Sequence, residues 1–133
     1  MRKIKQIIVH CSATKEGQDF KAKDIKRWHL ERGFSDIGYH YVVDLDGTIE
    51  EGRSLELIGA HTKGQNRDSI GICYIGGLDV SREPKDTRTT QQKAALWLLI
   101  KKLRERFGNI PVYPHYKYAA KACPCFPADE EYN

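Results

Sequence analysis

A short segment near the end of the chain carries the residue types best suited to metal chemistry. The run from His115 to Pro124 contains an imidazole, the ammonium of Lys121 and the thiol of Cys123. A second imidazole, that of His10, ends an apolar run near the opposite terminus. Two histidines and one cysteine are good zinc ligands, and a site with three protein ligands keeps a fourth position open for water. These residues therefore predict the zinc site of a hydrolase.

Each of these residues has a simpler explanation when it is taken alone. A single histidine after a strand is most often a solvent-facing imidazole or one that is hydrogen-bonded in the core. The thiols of Cys123 and Cys125 could instead belong to a structural zinc knuckle, but such sites usually use four ligands in paired C-x₂₋₄-C spacing. The chain has four cysteines and offers no second pair of this kind. The combination of two histidines, a thiol and a lysine favours the catalytic interpretation.

The elements that must position these residues alternate between strands and helices. Apolar, β-branched runs predict strands over 4–11, 39–43, 69–75 and 110–113. The pair Asp46-Gly47 predicts a hairpin turn with a return strand over 48–51. Helical spacing predicts two helices, over 22–32 and 89–107. The apolar face predicted for the second helix consists of Ala94, Trp97, Leu98, Ile100 and Leu103. The alternation predicts an α/β fold, a single domain over 1–133 with a central mixed β-sheet flanked by helices.

Length and composition set broad limits on the protein. With 133 residues the chain is long enough for one domain with its own core, and its 40% hydrophobic and 30% charged residues are ordinary for a globular protein. The net charge of +4 favours an anionic polymer as partner, without choosing between nucleic acid and cell wall. No apolar stretch approaches the roughly 18 residues needed to span a membrane, so we expect no membrane insertion.

The N-terminal segment and the cysteines bear on where the protein is made. Residues 1–6 are basic, but only a short β-branched run follows and no small-residue cleavage site is present. We therefore interpret the segment as the start of a strand, not as a signal peptide, and expect synthesis in the cytoplasm. In that compartment free thiols with one metal thiolate are a better expectation than two disulfides. Cys11 and Cys73 lie in strand-like runs, where cysteine is usually a small buried hydrophobe.

Several short motifs run in order along nearly the whole chain. They are VHCSAT at 9–14, GYHY at 38–41, DGT at 46–48, EGR at 51–53, HTKG at 61–64, SIGIC at 69–73 and KACP at 121–124. In these motifs the chain resembles the zinc-dependent N-acetylmuramoyl-L-alanine amidases of the amidase-2 family, which share a fold with the peptidoglycan recognition proteins. The likeness is closest to the small phage amidases of that family. The resemblance implies hydrolysis of the amide bond between N-acetylmuramic acid and L-alanine in peptidoglycan.

The resemblance also implies roles for individual residues. His10, His115 and Cys123 would hold one zinc ion per chain. Tyr39 would donate a hydrogen bond or a proton to the leaving amine, and Lys121 would offer its ammonium to the oxyanion. Without the motifs, Tyr39 would be an ordinary core tyrosine and Lys121 one solvated charge among 22 lysines and arginines.

Three further residues are predicted, through the same resemblance, to contact substrate. His61 and Lys63 fall in a polar loop that corresponds to the edge of the family's groove, and His61 could equally support a ligand from behind. Arg53 is predicted to pair with a carboxylate of the stem peptide, although an ordinary surface ion pair explains it equally well. His40 and Tyr39 are neighbours on a predicted strand, so their side chains face opposite ways and only one can enter the site.

Three features depart from the family pattern. Lys117 stands where many relatives carry an acidic residue two positions after the second histidine ligand, so a carboxylate that would orient this ligand is missing. Ala120 replaces a proline that is common before the motif lysine. The sequence ends ten residues after Cys123, which leaves little room for the C-terminal helix of the phage relatives.

These observations leave three functions to compare. An enzyme that cuts stem peptides from the glycan is favoured, because Tyr39, Lys121 and the thiolate ligand Cys123 occur together. The alternative is a non-catalytic module that binds peptidoglycan or muropeptides. A regulator of a polymerase, a role seen in the phage relatives, has no motif in its favour. We expect a monomer that binds no nucleic acid and acts on the cell wall after release or lysis.

Overall fold

A five-stranded sheet forms the centre of the molecule, and the computed structural model describes residues 1–133 without a gap. The strands in chain order are β1 (Gln6–Cys11), β2 (Thr14–Lys15), β3 (Tyr41–Val43), β4 (Ile49–Glu51), β5 (Ser69–Tyr74), β6 (Gly77–Leu78) and β7 (Val112–Pro114). The order across the main sheet is β4-β3-β5-β1-β7, in which only β4 is antiparallel to its neighbour. Strands β2 and β6 form a separate parallel pair. The predicted mixed sheet is therefore confirmed.

Helices cover both faces of this sheet. The helices are α1 (Ala22–Glu31), α2 (Thr90–Phe107) and α3 (Ala128–Tyr132), and two single 3₁₀ turns lie at Asn66–Asp68 and His115–Lys117. Side chains alternate along a strand, so Ile7 and Val9 of β1 pack in the larger core together with α2. The smaller core lies on the opposite face, where Ile25 of α1 packs on Val42 and Cys73. His10, which follows Val9, points to this α1 face.

Helix α2 begins at a capping box and turns a different face to the sheet than predicted. The hydroxyl of Thr89 accepts the backbone N–H of Gln92, whose side chain accepts the backbone N–H of Thr89 in return, both at 3.0 Å. The prediction that Ala94, Trp97 and Leu98 face the core is wrong, because all three are exposed. The buried side chains are Gln92, Ala95, Leu96, Leu99, Ile100 and Leu103.

The buried Gln92 explains this rotation of α2. Its side-chain amide donates to the carbonyls of Val43 and Ile75, at 3.3 and 2.9 Å, at the ends of β3 and β5. A polar residue thus faces the sheet at the first turn, and Leu96 and Leu99 follow on the same side.

None of the helices is long and apolar enough to cross a membrane.

The C-terminal segment forms a helix despite its short length, which corrects the expectation that there was little room for one. The reason is a buried cation: the guanidinium of Arg88 binds Glu131 of α3 at 2.6 Å and Asp86 at 2.9 Å. The same guanidinium lies 3.4 Å from the ring centroid of Phe126. Five residues are enough for a helix here because tertiary contacts, not propensity, stabilise it.

Candidate metal centre and groove

Two of the predicted ligands lie at the ends of neighbouring parallel strands. His10 is the last but one residue of β1, and His115 directly follows β7. These strands pair with Val9 opposite Pro114, which brings the two imidazoles side by side with 4.4 Å between their ring centroids. The carboxyl ends of parallel strands are where α/β folds usually bind ligands.

The third predicted ligand is brought in by the loop that follows β7. The backbone N–H of Cys11 donates to the Sγ of Cys123 at 3.2 Å. The carbonyl of Cys123 accepts the backbone N–H of Tyr116 at 3.0 Å, which closes the loop. One possible donor atom from each of the three residues lies within 4.8 Å of the other two; the residues are His10, His115 and Cys123. The spacing is compatible with a single ion between them.

The imidazole of His10 has one nitrogen engaged and one free. Its Nε2 lies 2.8 Å from Nδ1 of His61 and 3.2 Å from Oγ1 of Thr62. The other nitrogen, Nδ1, is therefore the atom that can hold a metal. Burial, followed by the neighbouring His61 and His115, lowers the pKa of His10 well below its ordinary value. The ring is neutral at physiological pH, which is the form that binds metal.

The second histidine ligand has no such support. Burial and then the charge of Lys121 lower the pKa of His115, so this ring is also neutral. Its side chain takes part in no hydrogen bond in the structure. The nearby Lys117, which replaces the acidic residue of many relatives, places its ammonium 3.5 Å from the ring centroid of Tyr113 and 5.5 Å from that of Tyr118. Lys117 thus packs on an aromatic pair and leaves the His115 ring without a partner.

A groove of about 490 Å³ lies beside this centre, and His115 is the proposed ligand that lines it. Histidines and aromatic residues form much of its lining: His29, Phe34, Tyr39, His61, His115 and Tyr118. The charged residues of the lining are all cationic, namely Arg32, Lys63 and Lys121, and no aspartate or glutamate is among them. The groove therefore suits an anionic ligand.

The two residues with predicted catalytic roles both line this groove. The ring centroid of Tyr39 lies 5.0 Å from that of His10, and its phenol lies beside the buried thiol of Cys73. Burial raises the pKa of Tyr39 well above its ordinary value, so the phenol keeps its proton and can act as a donor. Lys121 is exposed, and its charge is close enough to His10 and His115 to lower the pKa of both.

The three residues predicted to bind substrate are placed differently from one another. Lys63 is exposed at the groove, and His61 lies in it with its ring against His10. Arg53 is not part of the groove. Its guanidinium donates to the carbonyls of Ile37, Ile58 and Asp36, at 2.9, 2.8 and 3.3 Å. Its pairing with a stem-peptide carboxylate stays a prediction without support from the geometry.

Several residues of the site were not predicted from the sequence. Thr62 contacts His10, and the side-chain carbonyl of Asn66 accepts the backbone N–H groups of both His61 and Thr62, at 3.0 and 2.9 Å. Arg32 extends over the ring of Phe34, 5.1 Å from its centroid. The HTKG motif was the only signal for Thr62. Asn66 carried none, because polar loops give no periodic pattern, and neither did Arg32 at the end of α1.

Comparison with known proteins identifies the family. The Amidase_2 family, described as N-acetylmuramoyl-L-alanine amidase, matches residues 1–126. The chain belongs to this family. Among the proteins similar to this amidase is an endolysin of Enterobacteria phage K11, 41% identical over 121 residues, which are 91% of the chain and 80% of the relative. An endolysin of Escherichia phage T7 is 40% identical over 120 residues, 90% of the chain and 80% of the relative.

Solved structures agree with this assignment. The amidase is similar to the N-acetylmuramoyl-L-alanine amidase LysC from Clostridium intestinale URNW, with a TM-score of 0.83 and 28% identity over 98% of this chain and 82% of that one. It is also similar to Drosophila PGRP-LB, with a TM-score of 0.80 and 27% identity over 98% of this chain and 80% of that one. The predicted family, fold and enzyme class of the amidase are thereby confirmed.

Proposed function

We propose that this amidase cleaves the bond between the lactyl carbonyl of N-acetylmuramic acid and the amine of L-alanine in peptidoglycan, with a zinc ion held by His10, His115 and Cys123. The observation that carries the proposal is the convergence of their donor atoms, all within 4.8 Å of one another, beside the groove that His115 lines. Relatives named as amidases and endolysins support the choice of bond and polymer.

The donor set fits zinc on chemical grounds. Two neutral imidazoles and one thiolate are ligands that zinc prefers, and together they leave a net charge of about +1 at the ion. Three protein ligands are also the number typical of catalytic zinc sites. When bound, the ion supplies a Lewis acid that lowers the pKa of a water molecule and polarises the scissile carbonyl.

Lys121 is proposed to stabilise the negative charge that develops on the carbonyl oxygen. Its ammonium belongs to the groove lining, near both histidine ligands. A fixed cation at this place favours the tetrahedral oxyanion over the neutral amide, and this difference lowers the barrier. Lys121 makes no ion pair with an acidic residue, so its charge is not neutralised.

Tyr39 is proposed to donate a hydrogen bond to the reacting groups. Its phenol stays protonated because burial raises its pKa. A protonated phenol at this place can stabilise the carbonyl oxygen or hand a proton to the leaving amine. The contact between the rings of Tyr39 and His10 keeps the phenol close to the metal ligands.

The substrate is proposed to be the peptide-bearing glycan of the cell wall. Stem peptides carry free carboxylates, and the groove offers three cations, Arg32, Lys63 and Lys121, without an acidic residue. The net charge of +4 favours association with the anionic wall. We propose that the enzyme acts on the wall as a monomer after release or lysis.

Product analysis tests this function. Purified wall suspended with the zinc-loaded protein should lose turbidity, and new N-terminal alanine amines should appear without new reducing sugar ends. A chelator should stop both changes, and added zinc should restore them. Reducing ends without alanine amines would contradict the proposal, because they mark cleavage of the glycan.

A binding module is the competing outcome of the same experiment. Relatives named peptidoglycan recognition proteins motivate it. In that case the protein would sediment with the wall, yet neither alanine amines nor reducing ends would appear at any zinc concentration. Binding together with zinc-dependent release of amines favours the enzyme.

A further inference from the structure

Three polar atoms meet behind the His10 ring, on the side that faces away from the free Nδ1. They are Nε2 of His10, Nδ1 of His61 and Oγ1 of Thr62, and their separations are 2.8, 3.0 and 3.2 Å. His10 is only 1% exposed, so water does not replace these partners. The orientation of the ligand ring is thus decided by two residues of one loop.

The protons on these atoms can be assigned once Nδ1 of His10 is reserved for a metal. A neutral ring that binds metal through Nδ1 must carry its proton on Nε2. This N–H needs an acceptor, and Nδ1 of His61 is the nearest one, at 2.8 Å. His61 must then carry its own proton on Nε2, where the hydroxyl of Ser69 lies 3.3 Å away and can accept it. The ring protons of His10 and His61 therefore both have an acceptor.

Two glycines, Gly59 and Gly71, leave the space that the His61 ring occupies. A Cβ atom added at Gly71 would lie 2.5–2.8 Å from three atoms of this ring, and one added at Gly59 would lie 2.8 Å from its Cδ2. No side chain larger than hydrogen fits at either position while the ring keeps its place. Gly71 has no positive φ that would otherwise require glycine. Space for the imidazole is thus a sufficient reason for glycine in the middle of β5.

The loop that carries His61 is also fixed from its backbone. The side-chain carbonyl of Asn66 accepts the N–H groups of His61 and Thr62, at 3.0 and 2.9 Å. The N–H of Gln65 donates to the carbonyl of Thr62 at 2.9 Å. These bonds hold the backbone at His61 and Thr62, so the His61 ring is kept in place behind His10.

We propose that His61 is a positioning residue, which accepts the Nε2–H of His10 and thereby holds Nδ1 of that ring toward the metal. The proposal rests on the zinc site proposed above. It gives His61 a role in binding the ion instead of direct contact with substrate. The role matters in this chain because the other histidine ligand, His115, has no hydrogen-bonded partner, so His10 is the one imidazole ligand whose orientation is fixed by hydrogen bonds.

A pair of variants separates the hydrogen bond from the space that the ring fills. His61→Phe keeps a ring between Gly59 and Gly71 but removes the acceptor, whereas His61→Asn places its Oδ1 near the position of Nδ1 and keeps an acceptor. Competition with a chromophoric chelator measures the zinc affinity of each. We expect a loss of about 10–100-fold for His61→Phe, the range known for residues behind metal ligands, and recovery of most of it in His61→Asn.

The outcomes that would overturn the proposal are distinct from failure of the zinc site itself. If the unmodified protein binds no zinc, the proposed function fails before His61 is tested. If it binds zinc and both variants bind equally well, or both lose affinity equally, the hydrogen bond has no positioning role. Thermal unfolding of the zinc-free forms checks that each variant folds.

A measurement on the unmodified protein covers the case in which a variant does not fold. Nitrogen-15 spectra of the histidine rings in the zinc-loaded protein report which ring nitrogens carry protons or metal. We expect His10 to bind metal through Nδ1 with a proton on Nε2, and His61 to carry its proton on Nε2 only. A proton on Nδ1 of His61 would overturn the proposal, because that nitrogen could not accept a hydrogen bond from His10.

Discussion

The backbone N–H of Cys11 donates to the Sγ of Cys123 at 3.2 Å, so the residue next to one proposed zinc ligand holds another. The two residues are 112 positions apart in the sequence. Strand β1 therefore contributes twice to the centre, through the imidazole of His10 and through this amide. A hydrogen bond from a backbone amide stabilises a thiolate and fixes its lone pairs.

Removal of this sulfur should abolish zinc binding, whereas removal of the neighbouring one should not. Cys123→Ser replaces a soft ligand with a poor one, and we expect the zinc content to fall from about one ion per chain to a small fraction, with at least a hundredfold loss of amidase activity. Cys125→Ser is the matched control, because the Cys125 thiol contacts the carbonyl of Gly77 and is not among the three ligands. Metal analysis and the alanine-amine assay measure both effects. If the Cys123→Ser variant retained its zinc, Cys123 would not be a ligand.

Loss of the Lys121 charge should slow the chemical step without removing the metal. For Lys121→Met we expect kcat to fall by about 10²–10³, the usual cost of losing one donor to an oxyanion. The zinc content should not change, because Lys121 is not a ligand. Lys117→Met is a matched control, since Lys117 packs on Tyr113 and lies outside the groove. A rise in KM with unchanged kcat would instead assign Lys121 to substrate binding.

The fit of Gly71 against His61 can be tested by a double-mutant cycle. Gly71→Ala should lower the free energy of unfolding by about 1–3 kcal/mol, because the new methyl group overlaps the imidazole. In the background of His61→Ala the ring is absent, so the same substitution should cost much less. Urea unfolding of the zinc-free proteins gives both values. Equal costs in the two backgrounds would mean that Gly71 is required for another reason.

The contribution of one buried carboxyl to the stability of the protein should fall as the pH rises from about 4 to about 7, in the sense opposite to that of the buried histidines, whose pKa values are lowered. Asp44 is 2% exposed, its Oδ1 has no hydrogen-bond partner, and burial followed by the neighbouring Glu50 raises its pKa to about 7. The folded state therefore holds a proton that the unfolded state has already released in this range. One such proton gives a slope of at most about 1.4 kcal/mol per pH unit, and the contribution of Asp44 to stability is greater at the acidic end.

Asp44→Asn provides the measurement for this prediction. The amide stays neutral in both states, so the contribution of this site to the pH dependence should vanish. At pH 8 the free energy of unfolding of the variant should therefore exceed that of the parent. The ammonium of Lys21 lies 3.7 Å from Oδ2 of Asp44 and already offsets part of the free-energy cost of burying the Asp44 carboxylate. Unfolding curves at pH 5 and pH 8 for both proteins suffice. The same pH slope in both would exclude Asp44 as its source.

Much of the architecture could be predicted from the sequence, because local patterns encode it. The β-branched runs gave strands β1 and β5, and the Asp46-Gly47 turn gave the hairpin between β3 and β4. The motifs around His10 and Cys123 indicated the family and the ligand set. Strand boundaries were less accurate: β3 begins at Tyr41, so Tyr39 and His40 precede it. A short apolar run does not specify which of its residues form the ladder.

The groups available for chemistry follow from the order of the amino acids alone: two imidazoles, a thiol, a lysine and a tyrosine in motifs at the ends of predicted elements. How these groups are used depends on tertiary packing. That packing turns Gln92 instead of Trp97 toward the sheet, where its amide donates to the carbonyls of Val43 and Ile75. It placed His61 behind His10 and committed Arg53 to backbone carbonyls. Such contacts depend on the packing of distant segments, and no local pattern records them.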